Sequence, residues 1–153
     1  MQTILESAER AALQQRIEQI DGREMAQWGK MSCNQMVCHL ADQIRVALGE
    51  VRIKQTDTFL TRTLLKHLVL LGVNPPKGKV PTFPELDFQK HGGTPPVSIA
   101  ADKKTLIALL DKFCAADAHY PFQAHAAFGA LTQAEWGRLI LLHLRYHLAQ
   151  FGR

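Results

Sequence analysis

The C-terminal segment constrains this chain more than any other part. From Trp136 it reads WGRLILLHLRYHLAQFGR, and at about 100° per residue Trp136, Leu139, Ile140, His143, His147, Gln150 and Phe151 share one helical face. Arg138, Arg145 and Ala149 lie opposite, while Leu141, Leu142, Leu144 and Leu148 fill much of the remaining circumference. A helix with so little polar surface is buried on several sides. The fold is therefore built around it, either at the centre of one chain or across a homodimer. Its start is marked by a capping box, Thr132-x-x-Glu135, with Leu131 and Trp136 at the hydrophobic-staple positions.

The rest of the chain is also helical in pattern, with one long interruption. A first amphipathic helix spans about Glu6 to Ile20 and stops at Asp21-Gly22. A second begins on the capping box Ser32-x-x-Gln35, stapled by Met31 and Met36, and runs to about Leu48 before Gly49. A third covers Thr58 to Leu71 with Asp57 as N-cap, and its apolar side is Phe59, Leu60, Leu64, Leu68 and Leu71. Between Val73 and Ala101 fall six of the seven prolines, with Gly78, Gly92 and Gly93, so regular structure is not expected there. A fourth helix follows from Asp102 to about Ala116, then a turn region containing Pro121 and Gly129. Five helices without an alternating strand pattern predict an all-α bundle. At 153 residues the chain is long enough for one domain, 1–153, with a core of its own.

The two histidines of the last helix carry the chemical argument. At i and i+4 they lie about 6 Å apart on one side of the helix, so both imidazoles are desolvated together and both need partners. Neutral imidazole is a good ligand for nickel, zinc or iron, and one bound metal satisfies both rings. His39, in CHLADQ on the second helix, is the best third ligand, with Gln43 and Gln35 close to it around the helix. His67, on the third helix, is the alternative ligand. His91, His119 and His125 lie in loops or turns; His125, just ahead of the last helix, is placed to line the mouth of the site. Gln43 and Gln150 are expected to orient ligands or contact substrate.

Other chemistries find little support. Net charge is +4, but the basic residues are scattered rather than gathered in a stripe, so a nucleic-acid partner is not expected. Lys77, Lys79 and Lys90 could attract an anionic substrate. Cys33, Cys38 and Cys114 form no CxxC pair, and their odd number points to a reducing cytoplasm and to buried small hydrophobes rather than a disulfide framework. No apolar run is long enough to cross a membrane, and Met1 to Ile20 is too charged for a secretory leader. Nucleophile-elbow, P-loop, dinucleotide-binding and HExxH motifs are absent from the sequence. A metal-assisted hydrolase, the second enzymatic reading, needs a general base; Glu135 is engaged in capping and Asp42 points away from the Gln35–Gln43 face. A non-catalytic metal- or ligand-binding helical module is the third reading.

With MSCNQMVCHLADQIRVALGE and the ending HAAFGALTQAEWGRLILLHLRYHLAQFG, which is similar to an HxxxHxxQ close, the sequence resembles the DinB/YfiT-like superfamily of metalloenzymes. The likeness runs from about Trp28 to the end and is strongest to an uncharacterised subgroup with the WGRL…H…H ending. It departs from the family pattern in the Pro-rich segment Asn74 to Pro96. The resemblance implies a bacterial protein with a four-helix bundle in which His39, His143 and His147 bind a divalent nickel, zinc or iron ion, with Gln150 matching the final glutamine. It further implies a small-molecule substrate and a thiol-dependent transferase or isomerase that uses bacillithiol, mycothiol or glutathione. Three histidines leave open positions on the metal, as catalytic sites require.

Overall fold

The computed structural model describes residues 1–74, 76–117 and 119–153, so Pro75 of the Pro-rich segment and Ala118 of the later turn lie outside the described residues. The chain is all-α: α1 is Ser7–Glu18, α2 Cys33–Ala47, α3 Lys66–Leu70, α4 Ile99–Ala115 and α5 Gln133–Gln150. Among the described residues there is no strand, only an isolated antiparallel bridge between His125 and Gly129. None of the described helices is long and apolar enough to cross a membrane.

Both capping boxes form. Ser32 Oγ accepts from Gln35 N at 3.2 Å while Gln35 Oε1 accepts from Ser32 N at 2.9 Å. Thr132 Oγ1 and Glu135 reciprocate in the same way at the start of α5, at 3.2 and 2.8 Å. These two boxes set the registers of the helices that carry the three candidate histidines. α2 packs on α4 and α5, and α5 also packs on α1 and on α3. Trp136, Ile140, Leu141 and Leu148 of α5 are wholly buried. Burial within one chain thus accounts for the apolar circumference of α5.

α4 begins earlier than its sequence pattern predicts. Ser98 is the N-cap, accepting from Ala101 N at 3.2 Å, rather than the helix starting at Asp102. The buried Asp102 carboxylate reaches back instead to Val97 N, at 3.2 and 3.3 Å, and satisfies a donor just outside the helix.

The third helix departs further from expectation. Thr61–Leu65 is a π-helical turn running into the short α3, and the side chains expected to face the core are exposed: Phe59 by 83%, Leu60 by 61%, Leu64 by 57% and Leu71 by 71%. Of this segment only Leu70 is buried. Side chains loosen its backbone ladder: Thr63 Oγ1 donates to the Phe59 carbonyl at 2.7 Å and His67 Nδ1 to the Thr63 carbonyl at 2.5 Å.

The Pro-rich stretch wraps along α2, with two 3₁₀ turns at Pro84–Leu86 and Phe88–Lys90. Asp42, 1% exposed, pins it: its carboxylate accepts from Thr94 N at 2.7 Å, Thr94 Oγ1 at 2.6 Å and Arg45 Nη1 at 2.8 Å. Leu86 anchors the same stretch in the core.

Removing either cap hydroxyl tests this reading of the helix starts. Ser32→Ala and Thr132→Ala are each expected to cost about 1 kcal/mol, seen as a fall of roughly 2–4 °C in Tm by circular dichroism. An unchanged Tm in both would show that the boxes do not hold the helices.

Candidate metal centre

α2 brings His39, and α5 His143 and His147, to one point. His143 Nε2 lies 3.1 Å from His39 Nε2 and 3.1 Å from His147 Nε2, and one ligand atom from each ring falls within 4.8 Å of the others. His39 and His147 are buried, and His143 is nearly so. The rings are tilted or edge-on to one another, at interplanar angles of 56°, 76° and 80°, so they converge through nitrogen rather than stack.

The proton arrangement follows from Gln150. Its Nε2 donates to the Trp28 carbonyl, so its Oε1 is the atom that faces His147 Nδ1, at 2.7 Å. His147 Nδ1 is then the donor, and a neutral His147 presents a lone pair at Nε2. In a ring cluster without a cation, one His143 N–H is at best shared between two lone pairs. The Nδ1 atoms of His39 and His143 are meanwhile buried without a partner. A cation accepting all three Nε2 lone pairs resolves the crowding. Nitrogens bound at about 2.0–2.1 Å are separated by about 3 Å at right angles and about 3.4 Å at tetrahedral angles, which brackets the observed 3.1 Å. The donor set, and the spacing of His143 from each of the other two rings, make the trio a group able to hold a metal ion.

Burial holds these rings neutral. It pushes His39 down to about 3, aided by the neighbouring His147, and holds His143 well below the ordinary histidine range. His147 is also lowered by burial, with Gln150 opposing. Neutral imidazole is the form that binds metal.

The other expected site residues fall as follows. Gln150 supports His147 directly. Gln43 sits one turn beyond His39 on α2, and its Oε1 is buried without a partner. His125 stands outside the trio but close enough to His143 for its charge to bear on that ring. Its Nδ1 accepts from Ala127 N and Phe128 N, both at 3.2 Å, its ring stacks on Phe128 at 4.4 Å, and burial lowers it to about 4. His67, the alternative ligand, is exposed and bound to the Thr63 carbonyl, so it is not part of the cluster. Lys77 lies over the Trp28 ring instead, and Lys90 pairs with Asp87.

Two further residues belong to the site. Trp28 supplies the carbonyl that fixes Gln150, and Gly29 makes room for it: Gly29 has φ +83°, and a Cβ there would meet Gln150 Nε2 at 2.6 Å. The Trp-Gly pair gave no sign of this in the sequence, because a backbone carbonyl's role depends on what the fold lays against it.

No general base faces the trio among the described acidic residues near it. Glu135 is held by Thr132 N and by Lys66 at 3.0 Å, and Asp42 is consumed by Thr94 and Arg45. Among the described residues no cysteine joins the cluster, and burial raises the thiols of Cys33 and Cys38 to about 12.

Residues 4–153 match the profile of a family described as a protein of unknown function, DUF1569. The chain belongs to that family. Comparison with curated proteins and with solved structures gave no match. The DUF1569 match spans α1 to α5, so all three histidines lie within it.

The neutral histidines make metal-free stability depend on pH. Each is lowered in the folded state, so below about 6.5 the unfolded chain takes up protons that the folded chain refuses. Their contribution is complete above that pH and is lost as pH falls towards the folded values, about 4 for His125 and about 3 for His39. Urea midpoints of chelator-treated protein are expected to hold steady at pH 7–8 and to fall steeply between pH 6.5 and 5, by up to about 1.4 kcal/mol per pH unit for each ring. A midpoint unchanged from pH 7 to 5 contradicts burial of neutral rings.

Proposed function

We propose that this protein is a metal-dependent enzyme of the DinB/YfiT-like kind, in which His39, His143 and His147 hold a divalent nickel, zinc or iron ion. In this reading α1, α2, α4 and α5 are the four helices of the bundle, with α3 and the Pro-rich wrap added to it. The observation that carries the proposal is the convergence of three Nε2 atoms whose neutral rings have no other common partner.

Three protein nitrogens leave positions for an exogenous ligand, as catalytic rather than closed structural sites do. When bound, such an ion lowers the pKa of a thiol or water beside it and stabilises the resulting anion. The chain's own residues do the rest. Gln150 holds His147 in the tautomer that directs its Nε2 lone pair inward, and the Trp28 carbonyl holds Gln150. Gln43 Oε1 and His39 Nδ1 are both buried and unpartnered one helical turn apart, which makes Gln43 the residue placed to accept from His39 Nδ1–H if its side chain turns towards the ring.

The reaction favoured is transfer or isomerisation that uses a low-molecular-weight thiol as nucleophile. A thiol ionised at the site needs no protein base beyond solvent, which suits a centre whose nearby acids, Asp42 and Glu135, are committed elsewhere. Hydrolysis by a metal-bound water is the second reading; a general base would assist it, and Asp42 and Glu135 are held by other partners.

Elemental analysis of tag-free protein is expected to find about one divalent ion per chain, and His143→Ala to lose it. Full metal retention in His143→Ala would overturn the site. Gln150→Leu is expected to keep the fold but weaken metal binding about 10- to 100-fold, measured by competition with a chelator. Separately, calorimetric or spectral titration of the nickel form with glutathione, bacillithiol and mycothiol tests the thiol reading; silence with all three removes it and leaves the metal site standing.

A further inference from the structure

α5 has a second face that is not packed into the core. Around the helix from the trio, a groove of about 650 Å³ opens between the start of the Pro-rich stretch, the loop at Trp28 and the outer side of α5. Its volume lies in the range of small-molecule sites, roughly 300–1,000 Å³. The walls that define its chemistry are Trp28, Lys77, Arg138, Leu142, Arg145 and Tyr146.

Three cations line it, and only one is neutralised. Arg145 Nη2 pairs with Glu9 at 2.6 Å. Arg138 spends Nε on the Leu70 carbonyl at 3.0 Å and Nη1 on the Gln2 carbonyl at 3.2 Å; neither acceptor is a charge. Lys77 Nζ lies 4.3 Å from the centre of the Trp28 ring. Among the described residues neither Arg138 nor Lys77 has a carboxylate within ion-pair distance. The excess positive charge extends to Arg16, which is lowered first by burial and then by the charge of Arg145.

The aromatic half is equally well built. Trp28 and Tyr146 meet edge to face at 5.7 Å, and Trp28 Nε1 donates to Tyr146 Oη at 3.1 Å. The indole N–H is thereby satisfied, and the flat apolar surface is held beside the cations. Leu142 extends that surface along the helix.

We infer that this groove binds a small organic anion, in which a carboxylate or phosphate is held by Arg138 and Lys77 and a flat apolar body packs on Trp28 and Leu142. Guanidinium and ammonium groups both favour anionic oxygen, and an aromatic wall favours a planar body. The site is separate from the trio, and its occupancy does not require a metal. The Tyr146 ring, 5.1 Å from that of His147, is the wall the two share.

The test uses the full chain with benzoate and phenyl phosphate as probes and benzamide as the uncharged control, read by calorimetry and by fluorescence. Trp136 is wholly buried, so a fluorescence response reports Trp28. Saturable binding of at least one anion, weakened by added salt and absent with benzamide, is expected. The probe that binds tells carboxylate from phosphate preference. Arg138→Gln and Lys77→Gln are each expected to weaken binding about five- to tenfold. Because Arg138 also holds two backbone carbonyls, Lys77→Gln is the cleaner variant: among the described residues Lys77 Nζ makes no hydrogen bond or ion pair and lies over the Trp28 ring. No binding by either anion, equal binding of benzamide, or an unchanged Kd in Lys77→Gln would overturn the inference.

Discussion

Three imidazoles kept neutral and nearly dry at a single point are the constraint on which the rest of the structure depends. Desolvation opposes a charge on any of them, and their mutual approach at 3.1 Å leaves too few protons for the lone pairs that meet there. Much around the trio serves to hold that arrangement. The reciprocal caps at Ser32 and Thr132 set the registers of the two helices that bring the rings together. Gln150 fixes one tautomer, the Trp28 carbonyl fixes Gln150, and Gly29 leaves the space in which they meet.

The distribution of satisfied and unsatisfied polar groups makes the same point from the opposite direction. Buried Asp42 has three donors, buried Asp102 has Val97 N, and Glu135 has its cap and Lys66. Among the described residues, the buried side-chain polar atoms without a partner are His39 Nδ1, His143 Nδ1 and Gln43 Oε1. Native proteins rarely leave such atoms unpaired, and those that remain tend to mark chemistry or an absent ligand. Here two of the three belong to rings of the trio, on the side away from the converging Nε2 atoms, and it is that Nε2 convergence on which the proposal of a metal rests, rather than composition or family likeness.

α5 therefore presents two faces of different chemistry. The face of His143 and His147 looks inward onto α2; the face of Arg138, Leu142 and Arg145 looks onto the loop at Trp28 and the start of the Pro-rich stretch. Tyr146 stands between them. A helix apolar around most of its circumference is the natural support for such a division, because contacts with α1, α2 and α3 fix its position from several sides.

Much of this was legible in the sequence because it depends on local periodicity. Ser-x-x-Gln and Thr-x-x-Glu start helices through contacts within four residues, and the spacing of His143, His147 and Gln150 places them on one face wherever the helix lies. What periodicity cannot say is which partner an apolar face meets. Phe59, Leu60, Leu64 and Leu71 have a core-like pattern yet remain exposed, and His67 lies on that same helix, away from the trio. α4 starts at Ser98, whose hydroxyl caps Ala101 N, and Asp102 sits in its first turn and accepts from Val97 N. The sequence by itself thus determined the helices and the two-histidine face. Only the tertiary structure decided that His39 completes the cluster, that Trp28 and Gly29 support it, and that a cationic groove lies behind it. Those features are contacts between segments far apart in the chain, and no local pattern encodes where such segments meet.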